Sequence, residues 1–267
     1  MKKVLSIFLA MLMLTSLGIS GYAEEADLTT DLILERLIEA DEACETVSDQ
    51  AANGALRLAE MVVALDNLSI ETQDEADHLN KILDMIAGID VPEESLEHKL
   101  CIGAIKTFEA LTIFERQIDA KEEYEEELQQ IFDSFFANDE KAEDAKQQAV
   151  NGLYHSVFVT SLIARECCRN QGMARQIEAE MKAFGEAESG TESDVEQLLL
   201  GSETLFRMLT AVVSVLNADG SYSEELHELS ENTYAADGEN DDPVYGLANW
   251  LYGCVYMTEM IAREIEA

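Results

Sequence analysis

The closest approach to a metal-binding or catalytic motif in this sequence is a pair of Glu-x-x-His units, Glu75 with His78 and Glu224 with His227. In four-helix dimetal proteins, such units project into the bundle core and are joined by two further glutamates. Here the two units occupy different positions in the repeat described below, and charged residues on helices are mostly exposed. We therefore predict no metal site. No catalytic or cofactor-binding residue is assigned either, because no histidine stands in a recognisable nucleophile arrangement.

Two acidic segments, residues 217–220 and 237–242, have the oxygen-rich composition of calcium-binding loops. The first does not fit the EF-hand pattern. With Gly220 as the sixth residue, positions one and twelve are Val215 and Leu226, whose side chains cannot coordinate a cation. Asp, Asn and Gly are also the ordinary residues of turns between helices. Calcium binding by the loops around Asp219 and Asp237 therefore stays an alternative, and no metal ligand is named.

Five cysteines follow the amino-terminal segment, at Cys44, Cys101, Cys167, Cys168 and Cys254. An odd number cannot pair completely, and adjacent cysteines form a disulfide only in a strained local ring. No Cys-x-x-Cys or Cys/His metal spacing occurs. Cys167 and Cys254 stand where other copies of the repeat carry small apolar residues, so we expect mainly buried free thiols. The sequence leaves the disulfide status of the cysteines open.

The elements that carry these residues are indicated by a regular spacing of glycines. Gly54, Gly103, Gly152, Gly201 and Gly246 are separated by 49, 49, 49 and 45 residues. Such a period predicts a helical hairpin copied several times, because one hairpin cannot bury its own apolar face. Glycine costs about 1 kcal/mol in a helix interior, so we expect each glycine to mark a close contact between helices.

Apolar residues recur in phase with the glycines. Positions 5, 8 and 11 after each glycine form one helical stripe, helix A, and positions 25 and 32 form a second stripe, helix B. The same phase places Ile33, Leu34 and Leu37 in a half copy that precedes the first glycine. The sequence thus predicts an all-α protein of about ten helices, made of helical-hairpin repeats with a period of about 49 residues.

We expect the hairpins to stack as an α-solenoid-like single domain over residues 24–267. The predicted copies lie near residues 48–96, 97–145, 146–194, 195–239 and 240–267, after a half copy at 27–47. Whether the stack stays open or closes into a ring is left undecided, and so is the oligomeric state.

Helix ends are indicated by capping boxes, in which two side chains satisfy free backbone donors. This spacing occurs in three pairs: Thr72 with Glu75, Ser193 with Glu196, and Ser221 with Glu224. Pro92 suits a first helical turn because its missing N–H is not needed there. No run of alternating β-branched residues predicts a strand.

The amino terminus has the pattern of a secretory signal. Lys2 and Lys3 precede an apolar stretch from Val4 to about Leu14, and small and polar residues follow up to Ala23. The apolar stretch is too short for a stable membrane anchor. We predict a bacterial signal peptide at residues 1–23 and a secreted protein. It would be extracellular, or periplasmic if the host has an outer membrane, with no membrane insertion after signal removal.

The chain is strongly acidic, with 55 Asp and Glu against 17 Lys and Arg and a formal net charge of −38. A field of this sign repels phosphates and attracts cations and basic proteins. Nucleic acid is therefore not an expected partner, whereas a basic or cation-bearing protein or peptide is. A strongly acidic surface also serves solubility alone.

The last helix is rich in aromatic residues: Tyr245, Trp250, Tyr252 and Tyr256 lie within twelve residues, and Trp250 is the only tryptophan. Such residues serve as anchors in contact surfaces. A terminal repeat must also cover the exposed core of a stack, and we favour this second interpretation.

These features favour a secreted acidic helical-repeat protein that acts as a protein- or peptide-interaction module. Two alternatives remain: a divalent-cation (calcium) binding protein that uses its acidic loops, and an enzyme with a dispersed site. Enzyme activity is not favoured, no cofactor is predicted, and the identity of the partner is not given by the sequence.

Overall fold

The computed structural model describes residues 28–70, 72–91, 94–119, 121–168, 171–191, 193–217, 220–240 and 242–266. The predicted signal peptide and Pro92 lie outside these ranges. Within them the chain forms ten α-helices and no strand, so the predicted all-α class and number of helices are confirmed. The helices are α1 (Thr30–Ala43), α2 (Val47–Asn67), α3 (Gln73–Ile89), α4 (Leu96–Ile118), α5 (Glu125–Asp139), α6 (Ala145–Cys167), α7 (Gln171–Glu188), α8 (Asp194–Leu216), α9 (Ser223–Glu239) and α10 (Pro243–Glu266).

Long and short helices alternate along the chain. The even-numbered helices have 21 to 24 residues and the odd-numbered ones 14 to 18. Each long helix begins 49 residues after the previous one, at Val47, Leu96, Ala145, Asp194 and Pro243. The long helices are buried on most sides: sixteen consecutive residues of α2, from Ala51 to Asp66, are buried.

The five long helices pack against one another in a closed cycle. Helix α2 contacts α4, α4 contacts α6, α6 contacts α8, α8 contacts α10, and α10 contacts α2. The closing contact includes hydrogen bonds of Tyr252 on α10, whose hydroxyl accepts from Asn53 Nδ2 at 3.0 Å and donates to Asp41 Oδ1 at 2.9 Å. The first and last long helices therefore meet, which the sequence had left undecided.

Each short helix packs mainly on the long helix that follows it, α1 on α2 and so on to α9 on α10. The short helices bury few residues, and α1 buries only Ile33 and Leu37. Three equivalent asparagines on the long helices donate to a backbone carbonyl sixteen residues earlier: Asn53 to Leu37, Asn151 to Phe135 and Asn249 to Thr233, over 3.3, 3.0 and 2.8 Å. We call the short helices the outer helices and the long helices the inner helices. These bonds fix the register between each outer helix and the inner helix that follows it.

The glycines lie where long helices approach most closely, as predicted. A Cβ added at Gly103 would come within 2.6 Å of the Ala55 backbone, and one at Gly152 within 2.8 Å of the Ala104 backbone. A Cβ at Gly54 would meet the ring of Tyr252 at 2.8 Å. In α10, however, the residue 49 positions after Gly201 is Trp250 and not Gly246. The indole of Trp250 is fully buried there and packs on Phe206 of α8 and Tyr234 of α9.

The capping boxes of Thr72 with Glu75 and Ser193 with Glu196 are confirmed, and a further one joins Thr46 to Asp49. The predicted box of Ser221 with Glu224 is wrong. Helix α9 begins at Ser223, one residue later than that box requires, and its N-cap is Tyr222. The turn before it contains Gly220 with φ +80°, and the Asn217 side chain accepts the Tyr222 N–H at 3.2 Å.

Helix α8 has the length and hydropathy of a membrane span, with a mean hydropathy of 1.5 over eighteen residues. It is the one such helix in the part of the chain that the structure describes, and 61 % of that window is buried within the protein. Its apolar composition is accounted for by its packing against α6 and α10.

Candidate functional site: the grooves between the outer helices

The two Glu-x-x-His units are not brought together as a metal site. Glu75 is part of the N-terminal cap of α3, where it accepts the Thr72 N–H at 3.0 Å. His227 lies on an exposed face of α9, and its Nε2 is 3.3 Å from Glu231. Across the described ranges, no three His, Cys, Asp or Glu side chains are arranged to hold a metal ion.

The two acidic segments serve helix ends in the structure. Asn217 caps the turn before α9 through its side chain, and Asp219 lies outside the described residues. Asp237 belongs to α9, which continues to Glu239, so the first half of the second segment is helical and not a loop. Asp242 accepts the Val244 N–H at 2.9 Å at the start of α10.

All five cysteines are free thiols. Cys167 and Cys254 are buried, as predicted, and Cys101 is buried as well. Burial raises the pKa of Cys101 to about 11 and raises that of Cys254 further above its ordinary value. Thiols with such pKa values are unreactive, so these side chains act as small apolar core residues.

Two carboxyl groups lie buried near the carboxyl ends of long helices. Asp66 is fully buried, and its carboxylate oxygens have no hydrogen-bond partner among the described residues. Glu115 is 1 % exposed, and burial, aided by the nearby Asp119 carboxylate, raises its pKa to about 7. Asp119 is itself engaged, since it accepts the Glu123 and Tyr124 backbone N–H groups at 2.9 and 2.7 Å.

Surface grooves lie on the outward faces of the long helices α8 and α10, beside the short helices. The residue fourteenth in each long helix marks this face: Glu60, Glu109, Phe158, Arg207 and Tyr256. On α2, Arg57 is paired with Glu60 at 2.9 Å and with Asp90. On α4, Lys106 is paired with Glu109 at 2.7 Å. On α6, Phe158 packs with aromatic neighbours, including the ring of Phe184.

The α8 groove lies on the outer face of α8 between α7 and α9, and its volume is about 320 Å³. Its lining includes Met173, Ile177, Met208 and Tyr234. Arg207 also lines it, paired with Glu203 one helical turn earlier and with Glu180 of α7 at 3.5 Å. The nearby carboxylates raise the pKa of Arg207 although burial opposes this. This groove therefore contains its own bound cation.

The α10 groove lies on the outer face of α10 beside α9, and its volume is about 220 Å³. Seven residues line it, namely Glu225, Glu228, Leu229, Asn232, Tyr256, Glu259 and Met260. Three of them are glutamates and none is basic. At one end of the groove Arg263 pairs with Glu225 and, at 2.7 Å, with Glu259, and its guanidinium lies 4.8 Å from the ring centre of Tyr222.

Acidic groups of α1 also act on the α10 groove. Burial raises the pKa of Glu259; Arg263 opposes this rise, while Glu225 and Asp31 add to it. Burial likewise raises the pKa of Tyr256, with Asp41 and Glu259 adding to the effect. Asp31 and Asp41 belong to α1, so the first and last hairpins contribute to one electrostatic environment.

Acidity is concentrated on the outer helices. By sequence, the five short helices carry 24 Asp and Glu against 4 Lys and Arg, whereas the five long helices carry 13 against 8. Helices α1 and α9 carry 11 acidic and 1 basic side chain between them. Acids of both helices add to the raised pKa values in the α10 groove. Tyr256 belongs to the aromatic cluster that the sequence indicates, but the groove itself was not predicted. The sequence feature that could have indicated this groove is a pair of glutamates three residues apart, Glu225 and Glu228, next to the apolar Leu229.

No protein-family model matches this chain, and neither a curated protein nor a solved structure is significantly similar to it.

Proposed function

We propose that this protein is a secreted acidic interaction module that binds a basic protein or peptide through the outward faces of its helices. The observation that carries the proposal is the distribution of charge: 24 acidic against 4 basic side chains on the outer helices. Such a surface attracts cationic groups and accelerates their encounter, and it repels phosphates and anionic surfaces.

The basic side chains neutralise only a small part of this surface because they are few, and several of them are already engaged by single acids. Arg165 pairs with Glu127 at 2.7 Å, Arg36 with Glu60 at 3.6 Å, and Lys146 with Glu97 at 3.6 Å. With 55 acids and 17 bases in the chain, most carboxylates have no basic group available. A partner that brings lysine or arginine side chains would relieve their mutual repulsion.

The architecture proposed for this module is a set of five copies of one helical hairpin, with a period of 49 residues, arranged as a closed ring rather than an open solenoid. The equal spacing of the long helix starts and the equivalent asparagine bonds support this interpretation. Repeat arrays commonly present extended binding surfaces. Export through a signal peptide at residues 1–23 is part of the same proposal.

The test is isothermal titration calorimetry of the purified protein with octalysine, at about 20 mM and about 200 mM NaCl. We expect binding that weakens strongly with salt, because the attraction between exposed charges is screened. Octalysine with acetylated side chains is the matched control, since it keeps length and backbone but loses the charges. Absence of binding at low salt, or equal binding of the acetylated peptide, would contradict the proposal.

A further inference from the structure

We propose that the α10 groove is the place where a lysine or arginine side chain of the basic partner docks. This inference rests on the proposed function, because it states where on the acidic surface the basic partner binds.

The groove matches the two parts of a long basic side chain. Leu229 and the ring of Tyr256, above the buried Met260, offer apolar surface for the aliphatic stem. The exposed Glu225 and Glu228, beside the buried Glu259, offer carboxylates for the charged head. Lysine and arginine commonly bury their stems along apolar surface while the charge stays with polar groups. A cation over a tyrosine ring gains a further attraction.

The neighbouring α8 groove shows what this position accommodates. Arg207 and Tyr256 are both fourteenth in their helices, on equivalent outward faces. Arg207 lines the α8 groove, and its guanidinium pairs with Glu203 and Glu180. In the α10 groove a tyrosine replaces the arginine, while acidic residues remain on both the long and the short helix. Arg263 pairs with two of the three glutamates that line the α10 groove, and the third, Glu228, is left for a cation from a partner.

Arg263 offsets only part of the negative charge at the α10 groove. Its guanidinium is engaged with Glu225, Glu259 and the ring of Tyr222. Arg36, the one basic side chain of α1 and α9, points to Glu60 on α2. The groove therefore has an excess of carboxylates that favours a cation of a partner, and its apolar lining favours an organic cation over a metal ion.

The test is calorimetric titration with octalysine of the wild type and two groove variants. Glu228→Gln removes one exposed carboxylate, and we expect the affinity to fall about fivefold, the upper range for one exposed pair. Tyr256→Arg places an arginine in the groove, as in α8, and we expect a loss of about tenfold or more from blocking and repulsion together.

Two variants with the same change in net charge serve as controls. Glu126→Gln removes an exposed acid from α5, and Asn80→Arg adds a positive charge to the exposed side of α3. We expect both to change the affinity by less than about twofold. Circular dichroism melts establish that each variant is folded. If Tyr256→Arg does not fold, Glu228→Gln with its control decides the question, since Glu228 is exposed and its removal leaves the core unchanged.

The outcomes separate the two proposals. If the wild type does not bind octalysine, the proposed function fails and this inference fails with it. If the wild type binds but the groove variants lose no more affinity than their controls, the α10 groove is not the docking position, while the acidic interaction module stands. A loss confined to the groove variants supports both proposals.

Discussion

The α8 groove and the α10 groove occupy equivalent faces of neighbouring long helices but differ in charge. Arg207 at the α8 groove is held by Glu203 and Glu180, and Arg263 at the α10 groove is held by Glu225 and Glu259. The α10 groove has Tyr256 at the same position, and Glu259 where α8 has Thr210. Backbone packing fixes where a groove lies, whereas a few side chains decide how many of its carboxylates are paired within the protein.

The largest effect is expected from the tryptophan of α10 that is buried against α8 and α9. Trp250 is fully buried and packs on Phe206 of α8 and Tyr234 of α9, with ring centres 5.2 and 5.0 Å away. We expect Trp250→Ala to lower the free energy of unfolding by about 3–5 kcal/mol, because it leaves a large cavity. Urea denaturation measures this change. Tyr245→Ala, at a less buried position of the same helix, is the control, and an equal loss there would contradict the assignment.

A smaller effect separates the arginines of the two grooves. Arg263→Met leaves Glu259, whose side chain is 8 % exposed, without its partner. Because Arg263 is itself 32 % exposed, solvent weakens this pair, and we expect a loss of about 1–2 kcal/mol in unfolding free energy. Arg207→Met leaves Glu203 and Glu180, which are 28 % and 37 % exposed, so the loss should stay below about 1 kcal/mol. Urea denaturation of both variants gives the order. The reverse order would mean that the ion pairs of Arg207 contribute more to the free energy of unfolding than those of Arg263.

The stability contributed by the α10 groove should depend on pH in the acidic range, because Glu259 lies in it. The α8 groove has Thr210, which does not titrate, at the corresponding position. The folded-state pKa of Glu259 is raised, mainly by burial, so the folded protein holds this proton to higher pH than the unfolded chain does. Stability from this group is therefore greatest at low pH and falls as the pH rises from about 4.3 through the raised pKa.

Thermal melts between about pH 4 and pH 8 test this sign. The melting temperature of the wild type should fall, relative to that of Glu259→Gln, as the pH rises through the window. Glu126→Gln on α5 is the control, and its difference from the wild type should show a weaker trend. A difference for Glu259→Gln that stays flat, or runs in the opposite direction, would show that Arg263 outweighs the effect of burial.

The smallest effect is expected from an exposed pair beside the α8 groove. Lys182 and Glu186 of α7 lie 3.5 Å apart with side chains that are 78 % and 71 % exposed. We expect Lys182→Ala to change the unfolding free energy by less than about 0.5 kcal/mol, because solvent screens this pair. A loss comparable with that of Arg263→Met in the same urea experiment would show that the charge of the surface as a whole, and not burial, sets these energies.

Much of the fold could be predicted because the determining signals are local. Helix class, number and order follow from apolar periodicity, and the caps at Thr72 and Ser193 follow from a spacing of three residues. The cap at Ser221 was mispredicted because the left-handed Gly220 delays the helix start. The glycine at 246 was misaligned because Trp250, and not a glycine, occupies the equivalent position in α10.

The candidate site could be predicted only in part. Tyr256 was noted as one of four aromatic residues, but its neighbours Glu225 and Glu228 lie about thirty residues earlier in the sequence, and Asp31 and Asp41 lie more than two hundred residues earlier. Single-sequence periodicity gives the face on which a residue lies and not the helix that this face meets. The pairing of Arg207 with Glu180 was missed for the same reason.

The sequence by itself determined the helical composition, the positions of most helix ends, the close approach at the glycines and the concentration of acids on the short helices, because each depends on residues within a few helical turns. Only the tertiary structure decided that α10 meets α2 and that Asp31 and Asp41 of α1 act on Glu259 and Tyr256 of the α10 groove. That closure depends on the small rotation between successive hairpins summed over the whole chain, and no local pattern contains this sum.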